Sequence, residues 1–429
     1  MKLFHIAGAI GLALAVPVSA ASVGPLGDEP IAVPRNIKQG IDFVYVDPQL
    51  SNIAHRHQRP QNWLARLFSF NFGPRSRPNP IFAELGQDLQ QYESTWGRLP
   101  QINVPAGSTL KPGMTGKRVE LLRTRLGLYP SGSYDQQLKS VVTAYQQVHG
   151  LSPADGIAGR ATIASLDRGA HYYEQRGAIN VERAYRLPMT GTFGRYIIVD
   201  AGGANAYLVD HDRIVDSMPV IVGTAKTQTP IMAVILRDAK VNPYWNVPPE
   251  LIRKLTATRI EQQGLSYLKN FHYEVLSDWS GNGQPVDPKT VNWRAIASGK
   301  EQPKILVRQL PGPWNSMGKM KFEIPNDYGI YLHDSPEKEL FQKSDRHLSN
   351  GCIRLSDYKR FADWVFGGVP QASTPREQIF DPPQPVPVFI TYLTVEPKGN
   401  GVVFRPDPYG WDSVAMQQMF DSGAQVASN

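Results

Sequence analysis

The 429-residue chain has a single cysteine, Cys352, so no internal disulfide can form and no pattern needing two thiolates for zinc is available. It has no run of five Lys or Arg. Its 45 basic and 38 acidic residues leave a net charge of +7 spread over the whole length, which argues against a nucleic-acid-binding tail and for mild attraction to an anionic polymer. No stretch reaches eighteen apolar residues, the length a membrane-spanning helix needs. With 37 glycines, 36 prolines and 41% apolar residues, the composition excludes a collagen and a wholly disordered chain. At about 150 residues per domain, two or three domains are expected.

The first twenty residues read as a secretory signal peptide: Lys2, an eleven-residue apolar stretch from Ile6 to Val16, and Val18-Ser19-Ala20 as a cleavage site. Eleven residues at ~1.5 Å each are too short for a ~30 Å hydrocarbon core, so a cleaved leader and a periplasmic protein are expected, with no transmembrane or N-terminal lipid anchor. Residues 21–106 read as a short scaffold or linker, with an Arg-rich stretch from Arg56 to Arg77 and prolines at 60, 74, 78 and 80. Within it the alternation over Ile41–Val46 predicts a strand, and Phe82, Leu85, Leu89, Tyr92 and Trp96 share one helical face.

Residues 107–170 predict a three-helix unit. Val119, Leu122 and Leu126 form one face closed by Gly127, and Leu138, Val141, Val142, Tyr145 and Val148 another closed by Gly150, with a short third helix after Gly159. From about 190 to 396 the period becomes that of strands, at 196–199, 206–209, 214–215, 218–223, 234–241, 329–333 and 386–395. Residues 250–322 interrupt this meander as an insertion, and 397–429 form a tail that is either a docked strap or partly disordered. The expected fold is a mainly β, sandwich-like domain with a flap, plus a small three-helix domain.

An exported chain with one thiol holds it buried and inert, pairs it with another chain, or uses it. Cys352 lies in Ser349-Asn350-Gly351-Cys352-Ile353-Arg354, on a glycine-preceded turn before a helix expected to begin at Ser356. His333 sits at the end of a predicted strand, on the face opposite Tyr328, Ile330 and Leu332. A cysteine of ordinary pKa is only a few per cent thiolate at neutral pH, so a nearby imidazole is the usual activator and His333 is the candidate base. A zinc site from His333, Asp334, His347 and Cys352 matches no common spacing.

These segments resemble two families. Leu110-Lys111-Pro112-Gly113, Tyr134-Asp135 and Asp155-Gly156-Ile157-Ala158-Gly159-Arg160-Ala161-Thr162 look like the peptidoglycan-binding helical module of cell-wall hydrolases. The His333 strand and the Ser-x-Gly-Cys-x-Arg turn strongly resemble the L,D-transpeptidase catalytic domain. Asn242-Pro243-Tyr244-Trp245, Pro311-Gly312-Pro313 and Tyr331-Leu332-His333-Asp334 are similar to the large periplasmic subgroup with a capping insertion. Asn350 stands where that family often has His or Ser, and the scaffold here is shorter.

The resemblance implies a cofactor-free, metal-free enzyme in which Cys352 takes a peptidoglycan tetrapeptide stem as a thioester, expels D-alanine and passes the acyl group to a second stem. His333 would serve as acid and base, Gly351 and Cys352 N–H groups as oxyanion donors, Ser349 and Asn350 as turn formers, and Tyr331 as a substrate contact; Arg354 would hold a stem carboxylate or a structural ion pair, and Trp245 and Trp314 would line the substrate groove or the core of the insertion. Carbapenem-type β-lactams would be inhibitors. An L,D-carboxypeptidase, an enzyme anchoring proteins to the wall, and a non-catalytic peptidoglycan-binding protein remain the alternatives. What orients His333, either Asp334 or a backbone carbonyl, stays open.

Overall fold

The computed structural model describes residues 39–51, 79–280 and 282–421. The expected signal peptide and the Arg-rich stretch 56–77 lie outside them. No helix among the described residues is long and apolar enough to cross a membrane.

Among the described residues, four α-helices lie between strand β1 (Tyr45–Val46) and the rest of the sheet. Helix α1 (Pro80–Thr95) starts where Asn79 accepts from the Phe82 N–H and proline fills the first position, and it buries Phe82, Leu85, Leu89 and Tyr92. Helices α2 (Lys117–Arg125) and α3 (Gln136–Val148) are tied by Asp135, which caps α3 through the Leu138 N–H and pairs with Arg123 at 2.9 Å. Their core is the expected one, Val119, Leu122, Leu126, Leu138, Val142 and Tyr145.

The third helix of this unit is not short. Helix α4 (Arg160–Tyr185) runs 26 residues and passes through a non-helical Gly169 at φ +76°, a left-handed angle that suits glycine. Its second half buries Tyr173, Val181 and Ala184 with α1 against the sheet, so the apolar period continues where the sequence reading stopped. The segment Ile41–Val46 also departs from expectation. Only β1 (Tyr45–Val46) is a strand, because Ile41 is drawn into a separate cluster with Ile179 and Ala415.

The strands are β2 (Arg195–Asp200), β3 (Asn205–Asp210), β4 (Arg213–Gly223), β5 (Met232–Leu236), β6 (Asp238–Val241), β7 (Trp245–Asn246), β8 (Tyr273–Leu276), β9 (Leu306–Gln309), β10 (Met320–Glu323), β11 (Leu332–His333), β12 (His347–Ser349), β13 (Ile353–Leu355), β14 (Gln378–Phe380), β15 (Val386–Thr391), β16 (Val395–Pro397) and β17 (Val402–Phe404). A curled sheet runs β1-β5-β15-β2-β3-β4-β13-β11-β10-β6-β14, with β12 beside β4. Its core gathers Ile197, Val220, Met320, Phe322, Leu332, Ile353 and Phe361. Phe361 lies on helix α5 (Tyr358–Phe366), which is capped by Asp357 rather than Ser356 and closed by a left-handed Gly367. The insertion is a small body of its own. Short helices over 249–270 and the three-stranded sheet β7-β9-β8 enclose Trp245, Ile252, Trp293 and Val307.

The tail is docked as far as the described residues go. Asp412, on helix α6 (Trp411–Met416), pairs at 2.8 Å with Arg176 and 2.7 Å with Arg183, both on α4, while Arg183 Nε donates to the Gly40 carbonyl. All three side chains are buried, so this node locks the N-terminal segment, α4 and the tail together. A second lock lies at the end of α3. His149 stacks on Tyr145 and Phe404 and bonds Tyr92 Oη, and Gly150 approaches the Phe404 carbonyl so closely that a Cβ would lie 2.0 Å from it.

Candidate active site

Side chains alternate across a strand, and here that alternation separates core from groove. Phe322 of β10 pairs with Leu332 of β11, and Leu332 with Ile353 of β13, all turned into the core. Their neighbours face the other way. Arg354, His333, Lys321 and Lys240 form one row of cross-strand partners, and Glu323 pairs with Asp238 in the next. Continuing the same register places Tyr331 beside Glu323 and Cys352 beside Tyr331. All eight line a groove of about 900 Å³ roofed by the insertion, with Trp245, Tyr273, Trp279 and Trp314 on its other walls.

Cys352 sits on a turn between strands β12 and β13, not directly before a helix. Gly351 holds φ +117°, and a Cβ there would press within 3.1 Å of Ile330 Cδ1. The Ser349 hydroxyl closes the turn by accepting from the Gly351 N–H at 3.1 Å and donating to the Cys352 carbonyl at 2.6 Å. Three threonines brace it from outside. Thr229 Oγ1 donates to the Gly351 carbonyl at 2.6 Å, and the Thr227 hydroxyl and Thr224 N–H meet the Ser349 carbonyl at 3.0 Å. The Gly351 N–H is therefore occupied and does not serve as an oxyanion donor. That leaves the Cys352 N–H as the candidate on this turn.

The thiol is partly exposed and points to the Gly329 carbonyl at 3.7 Å. Burial pushes its pKa up, against the pull of Tyr331, Lys321 and Arg354. His333 is buried, and burial together with the Arg354 charge pushes it down to about 3. Both groups are thus neutral at rest. His333 Nδ1 lies 2.5 Å from the Asp334 carbonyl, so the proton sits on Nδ1 and the lone pair on Nε2. The group orienting His333 is a backbone carbonyl. The Asp334 carboxylate is engaged elsewhere, accepting from the Lys319 N–H at 2.9 Å and from Lys338 at 2.7 Å.

Arg354 pairs with Glu337 at 2.6 Å through Nη1, while its buried Nε has no hydrogen-bond partner among the described residues. Tyr331 packs edge-on to His333, lies beneath Lys321 Nζ at 4.1 Å, and meets the thiol and Trp245 with its hydroxyl. Trp245 is both groove wall and insertion core. Trp314 is 40% exposed at the groove mouth, stacked on His272 at 3.5 Å. Asn350 is exposed on the turn. His347 bonds the Ala201 carbonyl and Asp345, away from the groove, so the zinc grouping is not assembled. The sequence reading passed over the threonine brace and the charged row. Lys321-Phe322-Glu323 and Asp238-Ala239-Lys240, each with two charges flanking one apolar residue, were the available signal.

This is a mainly β catalytic domain with a roofed groove, behind a helical binding region. The profile described as "L,D-transpeptidase catalytic domain" matches residues 194–390, and the one described as "Putative peptidoglycan binding domain" matches residues 117–166. Residues 194–390 thus fall in the L,D-transpeptidase catalytic-domain family, and residues 117–166 match a putative peptidoglycan-binding module. It is similar to a curated "Putative L,D-transpeptidase" of Haemophilus influenzae, 30% identical over 247 residues, covering 56% of this chain and 48% of that protein. The chain spans about half the length of that relative. Among solved structures it is similar to an L,D-transpeptidase of Xylanimonas cellulosilytica, at 16% identity over 67% of this chain and 98% of the other, TM-score 0.20. Another is from Mycobacterium smegmatis, at 14% identity over 46% and 58%, TM-score 0.22.

Proposed function

We propose that the protein is a periplasmic, cofactor-free cysteine transpeptidase that links the third, diamino acid residues of two peptidoglycan stems. The observation carrying this reading is the placement of Cys352 and His333 on one face of the paired strands β11 and β13, inside a roofed groove, with the imidazole lone pair on Nε2.

Nε2 accepts the thiol proton as Sγ attacks the carbonyl of the donor's third residue. The Cys352 N–H meets the developing oxyanion, an interaction worth about 3 kcal/mol in comparable sites. The C–N bond to D-alanine breaks, its amine takes the proton from His333, and a thioester remains. The side-chain amine of a second stem then attacks the thioester carbonyl, its proton passes to His333, and Cys352 leaves as the thiol. Arg354, which lines the groove and whose buried Nε has no partner among the described residues, suits a substrate carboxylate. A carbapenem would acylate Cys352 by the same attack. The peptidoglycan-binding module and the basic balance fit an anionic wall polymer, and the apolar N-terminal stretch fits export.

Mass spectrometry of the full chain and its Cys352→Ala variant, incubated with disaccharide tetrapeptides, tests this. D-alanine release with a dimer linked through third residues, absent in the variant, supports transpeptidation. Monomeric tripeptide alone would indicate a carboxypeptidase, and transfer only to a protein amine an anchoring enzyme. No turnover by either protein would leave a wall-binding role.

A further inference from the structure

The peptide that joins Gly351 to Cys352 carries the candidate oxyanion donor at one end and a carbonyl at the other, and the carbonyl is held from behind. Thr229 Oγ1, fully buried, donates to it at 2.6 Å and accepts from the Gly223 N–H at 2.9 Å. The peptide is trans, and in a planar trans unit the N–H points opposite to the C=O. Fixing the carbonyl therefore fixes the direction of the Cys352 N–H, away from Thr229.

Thr229 is held in turn by the tail. Tyr409 lies beyond residue 390, where the match to the catalytic-domain family ends. Its buried hydroxyl donates to the Gly223 carbonyl at 2.7 Å and accepts from the Thr229 N–H at 3.3 Å, so one atom clasps both ends of the 223–229 loop. The loop has no slack, since a Cβ on Gly223 would lie 2.0 Å from the Thr227 carbonyl oxygen. Tyr409 stacks on Tyr392 with ring centroids 5.0 Å apart. Its N–H donates to the Tyr392 hydroxyl at 3.0 Å, and its carbonyl accepts from Gln228 Nε2 at 3.3 Å.

We infer that Tyr409 is a positioning residue for the acylation of Cys352: through the 223–229 loop and Thr229 it aims the Cys352 N–H at the carbonyl oxygen under attack. The tail is thereby a working part of the active site. This rests on the acylation step of the transpeptidase reading and adds to it a control from outside the matched catalytic domain. An oxyanion donor is effective when it is aligned before the charge develops. Loosening the 223–229 loop would misalign it while leaving the thiol, the imidazole and the groove walls in place.

Tyr409→Phe keeps the ring and removes the hydroxyl, Thr229→Val removes the next link, and Thr229→Ser keeps it. Each full-length variant is read for the limiting rate and half-saturating concentration of carbapenem acylation. It is also read for alkylation of Cys352 by iodoacetamide, which displaces iodide without forming an oxyanion. Tyr409→Phe should slow the limiting acylation rate by about tenfold, short of the hundred- to thousandfold that losing a whole oxyanion donor costs. The half-saturating concentration and the alkylation rate should stay at wild-type values. Thr229→Val should slow acylation at least as much, and Thr229→Ser should restore most of the rate. The Tyr409→Phe, Thr229→Val double variant should be no slower than Thr229→Val alone, as two links of one relay require. Thr394→Val removes a hydrogen bond to Asp412 without touching the relay and sets the scale for a merely looser tail. Wild-type acylation by Tyr409→Phe, an equal loss in Thr394→Val, or alkylation that falls in step with acylation overturns the inference. A Tyr409→Phe chain that is unfolded in the assay, read from its urea midpoint, assigns the hydroxyl to folding and overturns it too. A wild type that is acylated by the carbapenem but releases no D-alanine from a disaccharide tetrapeptide overturns the transpeptidase reading alone, and the acylation rates still decide the role of Tyr409.

Discussion

Asp334 serves His333 with its backbone and the neighbouring loop with its side chain. Its carbonyl accepts a hydrogen bond from the Nδ1–H at 2.5 Å, while its carboxylate accepts from the Lys319 N–H and Lys338. The base is thus oriented by a strand end that a second interaction pins in place.

That arrangement fixes a pH profile. An ordinary histidine is protonated below about 6.5, but His333 is held down to about 3 by burial and Arg354, so its Nε2 stays available as pH falls through 6.5. The kcat/KM for acylation should therefore show no loss near pH 6.5. Cys352, pushed up by burial, should react with iodoacetamide more slowly at pH 7 than a free cysteine peptide, its rate climbing through pH 9. A rate already flat from pH 5 would mean a resting thiolate–imidazolium pair and contradict this. His333→Gln should lower acylation by roughly a hundred- to ten-thousandfold, read from stopped-flow carbapenem acylation.

Gly318→Ala tests the pin. At φ +64°, a Cβ would lie 2.3 Å from Asp334 Oδ2 and push the carboxylate from the Lys319 N–H. A loss of about 1–3 kcal/mol in urea denaturation is expected, together with reduced kcat. A variant with wild-type stability and activity would show that the grip on Asp334 is dispensable.

Gly351→Ala strikes the thiol turn itself, where φ is +117° and Ile330 leaves no slack. Carbapenem acylation should slow by at least tenfold as the Cys352 N–H is displaced, whereas Ser349→Ala removes two hydrogen bonds from the turn and should weaken it by about 1–3 kcal/mol. Thermal melts and acylation rates measured together separate the two effects.

Asp412→Ala leaves Arg176 and Arg183 buried without their carboxylate, a change that costs about 3–5 kcal/mol in comparable sites. Burial alone would raise the Asp412 pKa, but Arg183 and Arg176 outweigh it and hold it below the ordinary aspartate value. A depressed folded-state pKa stabilises above the unfolded value near 3.9 and is lost as pH falls through the folded one. The wild-type advantage over the variant in chemical denaturation should then persist from pH 8 to about 4 and shrink only in stronger acid.

Much of this was legible in advance. The helix faces of residues 117–148 and the strand that ends at His333 follow from periods of 3.6 and 2, which the core enforces directly, whereas the short strands flanking Cys352 did not show in the pattern. What escaped depends on contacts far apart in sequence. Ile41 is taken by Ile179 and Ala415, which breaks an alternation that looked like a strand. Helix α4 runs on past Gly169 because α1 offers its second half a partner. The bond between His333 and the Asp334 carbonyl, like the occupation of the Gly351 N–H, turns on backbone orientation, which residue types do not report. The Thr229 brace reaches across 122 residues.

The lock between α3 and β17 has a mechanical meaning. With His149 clasped among Tyr92, Tyr145 and Phe404, and Gly150 seated against the Phe404 carbonyl, the binding module and the thiol ride on one chassis. Whatever polymer the module grips, its offset from Cys352 is set like a fixed caliper rather than a leash, and reaching a different strand requires the whole molecule to step.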